Sequence, residues 1–343
     1  MGRSVNATAA VATVRATSIA SIRGLRQYCC PFSGSTTEFS TMTSIAADTV
    51  VIVTSFERPH SLRRSLLSLS VQAAREHLAE VIVADDGSRD ETWQVVDSFA
   101  RQTQLPMTFT THVHGGFQPG RSRNEAVACS TAPYLAFLDG DCVVPTNFLA
   151  THVARRRAGV ALCGESYRLT PAESDTFTDE LIHSGDRFPT IGRPQQRRMA
   201  KKAFRDRIYS FLRVPMRPRL TGNHFSLWRA DFERVNGFDL GYLGWGLEDC
   251  DLQRRLLRVG VRCRTVLPAT AGYHLWHPKV ESFVRKARNT PNEAHYLQSV
   301  RADGYATPGL REVERDAICV WKWRRGNLIE LPQSRKHLPA LAS

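Results

Sequence analysis

The sequence lacks the features that mark several specialised classes of protein. No apolar run approaches the ~20 residues that a membrane-spanning helix requires, so we expect no transmembrane segment. The cysteines show no zinc-site spacing, and the adjacent pair Cys29 and Cys30 gives no disulfide framework. We therefore expect reduced, mostly buried thiols and a cytoplasmic location.

Lysine is scarce, although the chain of 343 residues has a formal charge of +13 at pH 7. Because lysine occurs only at positions 201, 202, 279, 286, 322 and 336, arginine supplies most of the positive charge. An excess of positive charge favours anionic ligands, nucleotide diphosphates among them. No nucleic-acid-binding motif accompanies this charge, so we predict no nucleic-acid partner.

Residues 1–44 differ in composition from the rest of the chain. They are rich in Ser, Thr and Ala and contain a single acid, Glu38. No continuous apolar stretch predicts a secretory signal, and the composition resembles a transit peptide or a translated region upstream of a start at Met42. We expect residues 1–44 to be a disordered extension, 45–280 to be the folded domain and 281–343 to be a helical or irregular tail.

Strands and helices alternate in the folded part. Buried strands are predicted from apolar or β-branched runs at residues 49–54, 80–84 and 135–138, and an alternating pattern predicts a further strand at 107–113. Helical patterns follow the first three strands, beginning near Ser61, Asp90 and Arg121. This order predicts an α/β fold with a doubly wound, mostly parallel sheet. A further strand is expected at 221–229, after a basic insertion with helical pieces at 171–219.

Two carboxylates follow the fourth strand, in the sequence Asp139-Gly140-Asp141. Ligands of open α/β sheets bind beyond the carboxyl ends of the strands. Two acids there favour a hard divalent cation such as Mg²⁺ or Mn²⁺, which would also bridge a diphosphate. We expect Gly140 to let a ligand approach the backbone closely. An ordinary Asp-Gly turn is the alternative, and the tripeptide alone does not decide between them.

A second acidic group opens a predicted helix at Leu247, with Glu248 and Asp249 in its first turn. The helix dipole favours acids at this position, which is the structural explanation for both. Trp245 lies just before them between two glycines. Since flanking glycines make a poor core strand, we expect Trp245 to lie outside the core.

Together these motifs, in this order, resemble the family 2 glycosyltransferases of the GT-A fold. The resemblance is carried by Thr54-Ser55-Phe56-Glu57-Arg58-Pro59, Val83-Ala84-Asp85-Asp86-Gly87-Ser88, Gly120-Arg121-Ser122-Arg123-Asn124, Asp139-Gly140-Asp141 and Trp245-Gly246-Leu247-Glu248-Asp249-Cys250-Asp251. The last part is similar to a module of galactosyltransferases and chondroitin polymerases. The resemblance implies a Rossmann-like nucleotide-sugar half at 45–145, joined to an acceptor half at 146–280.

The resemblance also implies a set of site residues. For the nucleotide sugar these are Thr54, Glu57, Arg58, Asp85, Asp86, Arg123, Asp139 and Trp245. Either Asp85 or Asp86 would accept a hydrogen bond from uracil, and Asp139 would contact ribose or a metal-bound water. The metal ligands, for Mn²⁺ or Mg²⁺, are expected to be Asp141, His277 and His274.

Catalysis with inversion needs a base that takes the proton of the acceptor hydroxyl. In the matched motif this base is Asp249, and Glu248 is expected to hold an acceptor hydroxyl. Cys250 stands where some relatives have a further aspartate, which leaves that acceptor contact open. The galactosyltransferases have an aromatic residue near the position of Leu220. The absence of an aromatic residue there in this chain weakens the case for galactose.

The expected reaction is transfer of a hexose, glucose favoured, from a UDP-sugar to a small hydroxylated acceptor. The layout resembles natural-product glucosyltransferases of antibiotic biosynthesis, including those that act on aminocyclitols such as validoxylamine A. The same residues would serve a transferase that builds a polysaccharide or a glycoprotein glycan. A nucleotidyltransferase is disfavoured because no glycine-rich, lysine-bearing loop follows the first strand. A sugar- or polyanion-binding protein without activity is the remaining alternative.

Overall fold

The computed structural model describes residues 47–185, 188–189, 191–278, 290–299 and 304–330. These residues belong to one compact unit, Ile45–Ser343. The predicted disorder of residues 1–44 and the helix that we expected at 280–288 lie outside the described residues.

The described residues form twelve strands and ten α-helices. The strands are β1 Thr49–Ser55, β2 Leu78–Asp85, β3 Met107–Thr111, β4 Tyr134–Asp139, β5 Cys142–Val143, β6 Val160–Cys163, β7 Ser166–Arg168, β8 His224–Trp228, β9 Arg262–Thr265, β10 Gly272–His274, β11 Cys319–Arg324 and β12 Asn327–Glu330. The helices are α1 Pro59–Ser70, α2 Thr92–Thr103, α3 Pro119–Ala128, α4 Phe148–Arg155, α5 Pro171–Asp175, α6 Asp179–Ser184, α7 Arg193–Leu212, α8 Arg229–Arg234, α9 Glu248–Arg258 and α10 Pro291–Ser299. None of these helices is long and apolar enough to cross a bilayer.

Nine strands form one sheet in the order β12-β11-β3-β2-β1-β4-β8-β6-β9. The predicted α/β class with a doubly wound sheet is confirmed, since β3, β2, β1 and β4 are parallel and the strand order reverses at β1. The whole sheet is mixed, because β8 runs antiparallel to both β4 and β6, and β11 runs antiparallel to both β3 and β12. A helix returns the chain between each successive pair of the first four strands, which accounts for their parallel order, and β6 and β9 form a further parallel pair.

Both faces of the central strands are buried, as their continuous apolar sequences predict. In β1, Val51 and Val53 pack in one core cluster with residues of α1 and α2. Val50 and Ile52 point to the other face and pack with residues of α3, α8 and α9. The alternation of side chains along a strand accounts for this division.

Prolines fix the starts of α1 and α3. Pro59 and Pro119 occupy the first helical positions, two residues before Ser61 and Arg121, where we had expected these helices to begin. Proline is favoured there because its fixed φ suits a helix and its missing N–H would have no helical partner.

The C-terminal part extends the sheet and corrects the expectation of a helical or irregular tail. Strand β11 pairs with β3 along five residues, and β12 pairs with β11. Cys319, Trp321 and Trp323 alternate with less buried residues, which is the period of a strand with one covered face. Trp323 donates from Nε1 to Asp97 on α2 at 2.9 Å.

A small second sheet joins β5, β10 and β7. In its register His274 lies opposite Cys142, which follows Asp141 directly in the chain. The backbone N–H of Leu275 donates to the carbonyl oxygen of Asp141 at 2.8 Å. This pairing brings the His274–His277 segment beside Asp141.

A buried chain of polar side chains crosses the interface of β4, β8 and α4. The Tyr134 hydroxyl lies 2.7 Å from Ser226 Oγ, which lies 2.6 Å from His152 Nδ1. His152 Nε2 lies 2.9 Å from His224 Nε2, and His224 Nδ1 lies 3.4 Å from the carbonyl oxygen of Glu165. One assignment of protons satisfies the chain: each histidine is neutral, and each donates one N–H toward the Glu165 end. Burial lowers the pKa of His152 and lowers that of His224 to about 4.

Stability should therefore decrease as the pH falls below 6.5. The unfolded chain binds a proton at each histidine from that pH downwards, whereas the folded chain keeps both neutral, so each contributes a loss of ~1.4 kcal/mol per pH unit. His112, whose pKa is raised to about 9, is protonated in both states over this range. We expect His152→Gln to make the slope of the unfolding free energy between pH 6 and 5 shallower by about that amount.

Urea unfolding at several pH values measures the slope. The exposed His60 provides the matched control, and His60→Gln should leave the slope at the wild-type value. Because carboxyl groups titrate alike in all three proteins, the comparison isolates the buried histidine. Equal slopes in wild type and His152→Gln would show that the buried pair is not held neutral.

Candidate functional site

The site lies where the strand order reverses, between the carboxyl ends of β1 and β4. Thr54 and Asp139 are partners across these strands, and Thr54 Oγ1 donates to Asp139 Oδ1 at 2.9 Å. Arg123, on α3, donates from Nη2 to the same oxygen at 2.9 Å. The sequence-predicted residues Thr54, Arg123 and Asp139 are thus in direct contact at the expected edge of the sheet.

Gly140 is required by the packing of the turn. Its N–H donates to the carbonyl oxygen of Thr54 at 2.8 Å, and a Cβ atom would lie 2.6 Å from that oxygen. The expectation that Gly140 serves ligand access is therefore replaced by a contact within the protein. The glycine allows Asp139 and Asp141 to follow β4 without pushing β1 away.

Asp141 forms a cluster with two histidines and an arginine. Its carboxylate lies 3.5 Å from His274 Nε2, 3.3 Å from His277 Nε2 and 3.1 Å from an Arg58 nitrogen. Although burial alone would raise it, the hydrogen bond from His277 and the charges of His274 and Arg58 lower the pKa of Asp141 to about 2. The carboxylate is therefore ionised at neutral pH.

The two histidines are oriented as metal ligands usually are. His274 Nδ1 lies 2.9 Å from the carbonyl oxygen of Leu275, and His277 Nδ1 lies 2.8 Å from that of Pro278. A carbonyl accepts only, so each Nδ1 carries a proton, and in the neutral form of each ring Nε2 is the nitrogen available to a metal beside Asp141. The three ligand atoms lie within 4.8 Å of one another. Two imidazoles and one carboxylate fit a divalent transition metal such as Mn²⁺.

Beyond the ends of β1 and β3, Phe56 stacks on His114 with ring centroids 4.4 Å apart and an interplanar angle of 14°. The exposed Glu57 has φ of 48° and donates its N–H to Ser88 Oγ at 2.9 Å. These contacts join the loop after β1 to the loops after β3 and β2, at the end of the sheet where Arg58 reaches Asp141.

Asp85 and Asp86 are both buried, with different partners. The Asp85 carboxylate accepts from the N–H groups of Gly87 and Ser88 and from two hydroxyl groups, so its role within the protein is to hold its own loop. Asp86 Oδ1 lies 3.1 Å from His112 Nε2, while His112 Nδ1 lies 2.7 Å from Glu125. Despite burial, these two acids raise the pKa of His112 to about 9, which makes it an imidazolium. A contact of uracil with either aspartate stays a prediction.

Glu248 and Asp249 begin α9. Asp249 Oδ2 accepts from the N–H of Gly222 at 2.7 Å, and Asp249 Oδ1 lies 3.7 Å from Arg123 Nη1. Glu248 is buried and accepts from the N–H of Gly246 at 3.1 Å. Burial raises the pKa of Asp249, and burial together with the Asp249 charge raises that of Glu248 to about 7.

Trp245 is 53% exposed and stands between Gly244 and Gly246, both with positive φ. The structure places it at the surface beside Glu248 and not in the core, in keeping with its two glycine neighbours. Helix α10 holds this loop, because Asn292 donates to the carbonyl oxygen of Gly246 at 3.1 Å and accepts from the N–H of Leu243 at 3.3 Å.

Three contributors to the site were not among the predicted site residues. His112 contacts Asp86, but in the sequence it is a single polar residue after a strand, which indicates no particular role. Gly222 must be glycine because a Cβ there would overlap the Arg123 guanidinium, and the Thr-Gly-Asn sequence was the available hint. Asn292 lies in the tail that we had not placed against the site.

Comparisons with known proteins match two consecutive parts of the chain. Residues 50–212 match the sequence model described as glycosyl transferase family 2, and residues 212–278 match the one described as N-terminal domain of galactosyltransferase. Validoxylamine A glucosyltransferase of Streptomyces hygroscopicus subsp. limoneus is 30% identical over 236 residues, which cover 66% of this chain and 50% of that protein. The chain spans about half the length of this relative.

More distant relatives cover similar regions. Uncharacterized glycosyltransferase YfnE of Bacillus subtilis is 26% identical, over 62% of this chain and 61% of that protein. Among solved structures, a mannosyltransferase of Pyrobaculum calidifontis in complex with GDP-Man and Mn²⁺ has a TM-score of 0.48 and 17% identity, covering 78% of this chain and 73% of that one. The match to the family over residues 50–212, continued by the galactosyltransferase segment, shows that this chain belongs to the family 2 glycosyltransferases.

Proposed function

We propose that this chain is a metal-dependent, inverting hexosyltransferase that moves glucose from UDP-glucose to a hydroxyl group of a small acceptor. The observation that carries the proposal is the position of Arg123. Its guanidinium contacts Asp139 at the strand end and lies beside Asp249 on α9. Asp139, which is assigned to the donor, and Asp249, which is assigned as the base, thus share one buried cation.

Asp249 has the surroundings of a general base. Oδ2 is held by the N–H of Gly222, whereas Oδ1 has no hydrogen-bond donor among the described residues. An acceptor hydroxyl would give its proton to Oδ1 while its oxygen attacks C1 of the sugar. The bond between C1 and the phosphate oxygen then breaks on the opposite face, and UDP leaves with both electrons of that bond. Attack from the side opposite to the leaving group inverts the configuration at C1.

A divalent metal would be held by Asp141, His274 and His277, and it would supply positive charge that stabilises the departing diphosphate. Arg58, which contacts Asp141, adds a cation near the same position. Thr54 and Arg123 hold the Asp139 carboxylate in one orientation, toward the ribose of the donor.

The substrate assignment rests on the relatives. The matched protein at 30% identity is described as a validoxylamine A glucosyltransferase, which supports glucose as the sugar and an aminocyclitol as the acceptor. Leu220 is fully buried and its N–H donates to Gln253, so it packs in the core and offers no aromatic surface to a sugar. Trp245 is the exposed aromatic residue beside the two acids, and we assign it to the sugar or the acceptor.

Asp249→Asn should lower kcat by ~10²–10⁴-fold, because an amide cannot take the acceptor proton. The amide oxygen can still accept from Gly222, so the fold and UDP binding should persist. The measurement is UDP release from UDP-glucose with an acceptor panel, read together with UDP affinity by calorimetry. Turnover at the wild-type rate would remove Asp249 from the mechanism.

Asp141→Ala should abolish the stimulation of UDP release by Mn²⁺, because the ionised carboxylate is the charged ligand of the cluster. His274→Ala and His277→Ala should each weaken Mn²⁺ binding, measured directly by calorimetry. The exposed His183 provides the control, and His183→Ala should bind Mn²⁺ as the wild type does. Equal Mn²⁺ affinity in Asp141→Ala and wild type would contradict the assigned site.

The acidic limb of the pH profile of kcat/KM should lie above the ordinary aspartate range. Activity requires ionised Asp249, whose pKa is raised by burial, so activity should rise with pH through that raised pKa. Glu248→Gln removes the neighbouring carboxyl group, which competes with Asp249 for the positive charge of Arg123. The acidic limb of the profile should therefore move to lower pH. Kinetics from pH 4 to 8 tests this, and an unchanged limb in Glu248→Gln would show that the two acids do not titrate together.

A further inference from the structure

The outer face of α7 exposes large apolar side chains. Phe204, Ile208, Phe211 and Leu212 have exposed fractions of 69%, 40%, 86% and 62%. Their spacing of four, three and one residues places them on one side of a helix. Isolated apolar residues are ordinary on a protein surface, but a continuous apolar stripe marks a surface that binds something.

Positive charge surrounds this stripe. The exposed bases of the helix and its end are Arg193, Arg197, Arg198, Lys201, Arg205, Arg207 and Arg213. Within the described part of the chain, none of these seven forms an ion pair with an acid. The single acid of α7, Asp206, is buried and accepts from Lys202 at 2.7 Å. The solvent side of α7 therefore carries charge of one sign only.

The opposite face of α7 fixes the helix on the protein. Met199 and Ala203 are buried and pack with Leu267. The Gln195 side chain donates to the carbonyl oxygen of Arg168 at 3.0 Å. With this face held by the domain, the helix cannot turn its apolar stripe inward, and the stripe stays toward solvent.

We propose that α7 is a docking surface for the anionic face of a lipid bilayer. The four apolar side chains would enter the boundary between headgroups and acyl chains, while the bases lie among anionic headgroups. Charge selects this partner over a second copy of the chain, because a symmetric pair would bring two like-charged faces together. This inference goes beyond the proposed transfer reaction and does not depend on it.

Sedimentation with lipid vesicles tests the proposal. We expect the full chain to sediment with vesicles of phosphatidylcholine containing 30% phosphatidylglycerol, and to stay in solution with phosphatidylcholine alone. The triple change Phe204→Ser, Phe211→Ser and Leu212→Ser should lower the partition coefficient at least about tenfold, since it removes most of the buried apolar surface. The double change Arg197→Gln and Lys201→Gln should lower it about 25-fold, at about five-fold for each base near an anionic surface.

A matched control uses two exposed apolar residues outside α7. Leu297 and Ile329 are 61% and 60% exposed, and their joint change to Ser should leave vesicle binding unaltered. If the triple variant has altered circular dichroism, the single change Phe211→Ser at the most exposed position replaces it. Equal binding to both kinds of vesicle, or equal loss in the control, would refute the proposal. A concentration-dependent dimer that the Ser changes dissociate would show that the stripe binds a second copy.

Discussion

The arrangement of the candidate site depends on one buried cation, the guanidinium of Arg123. It is 3% exposed, donates to Asp139 and lies 3.7 Å from Asp249. A buried arginine requires acidic partners, and Asp139 supplies the direct one while Asp249 adds a second negative charge, so both acids favour the packing of α3 and α9 in this arrangement. The same requirement brings the end of β4 and the start of α9 together, although 110 residues of sequence separate these two acids. Gly222 completes the arrangement by leaving room for the guanidinium.

The site combines a part built on strands and a part built on a glycine-containing loop. Asp139 and Asp141 follow a central strand, and β10 fixes His274 opposite Cys142. Gly244 and Gly246, by contrast, have positive φ, and a Cβ atom on either would meet nothing nearby. Strands thus place the residues assigned to metal and nucleotide, whereas hydrogen bonds with Asn292 and Glu248 hold the loop that carries Trp245.

The central half of the fold could be predicted from sequence because its signals are local. A β-branched run such as 49–54 and the helical spacing after it define a strand and a crossover without reference to distant residues. The acid pair at residues 139 and 141 was recognisable because an end-of-strand position gives it a function. The roles of His112 and Asn292 could not be predicted, since each depends on a partner brought close only by tertiary packing. Strand β11 was missed because two alternating tryptophans in a basic tail are a weak signal.

The pairing of β11 with β3 has a consequence for where the protein can be cut. The family matches end at residue 278, which suggests a boundary before the last two strands. A fragment that ends there would lose Trp321 from its contact with Phe109 and would turn β3 into a bare sheet edge. Unpaired backbone groups beside exposed aromatic rings promote association between molecules. Recombinant production should therefore retain the chain through Glu330, or the shortened product will aggregate.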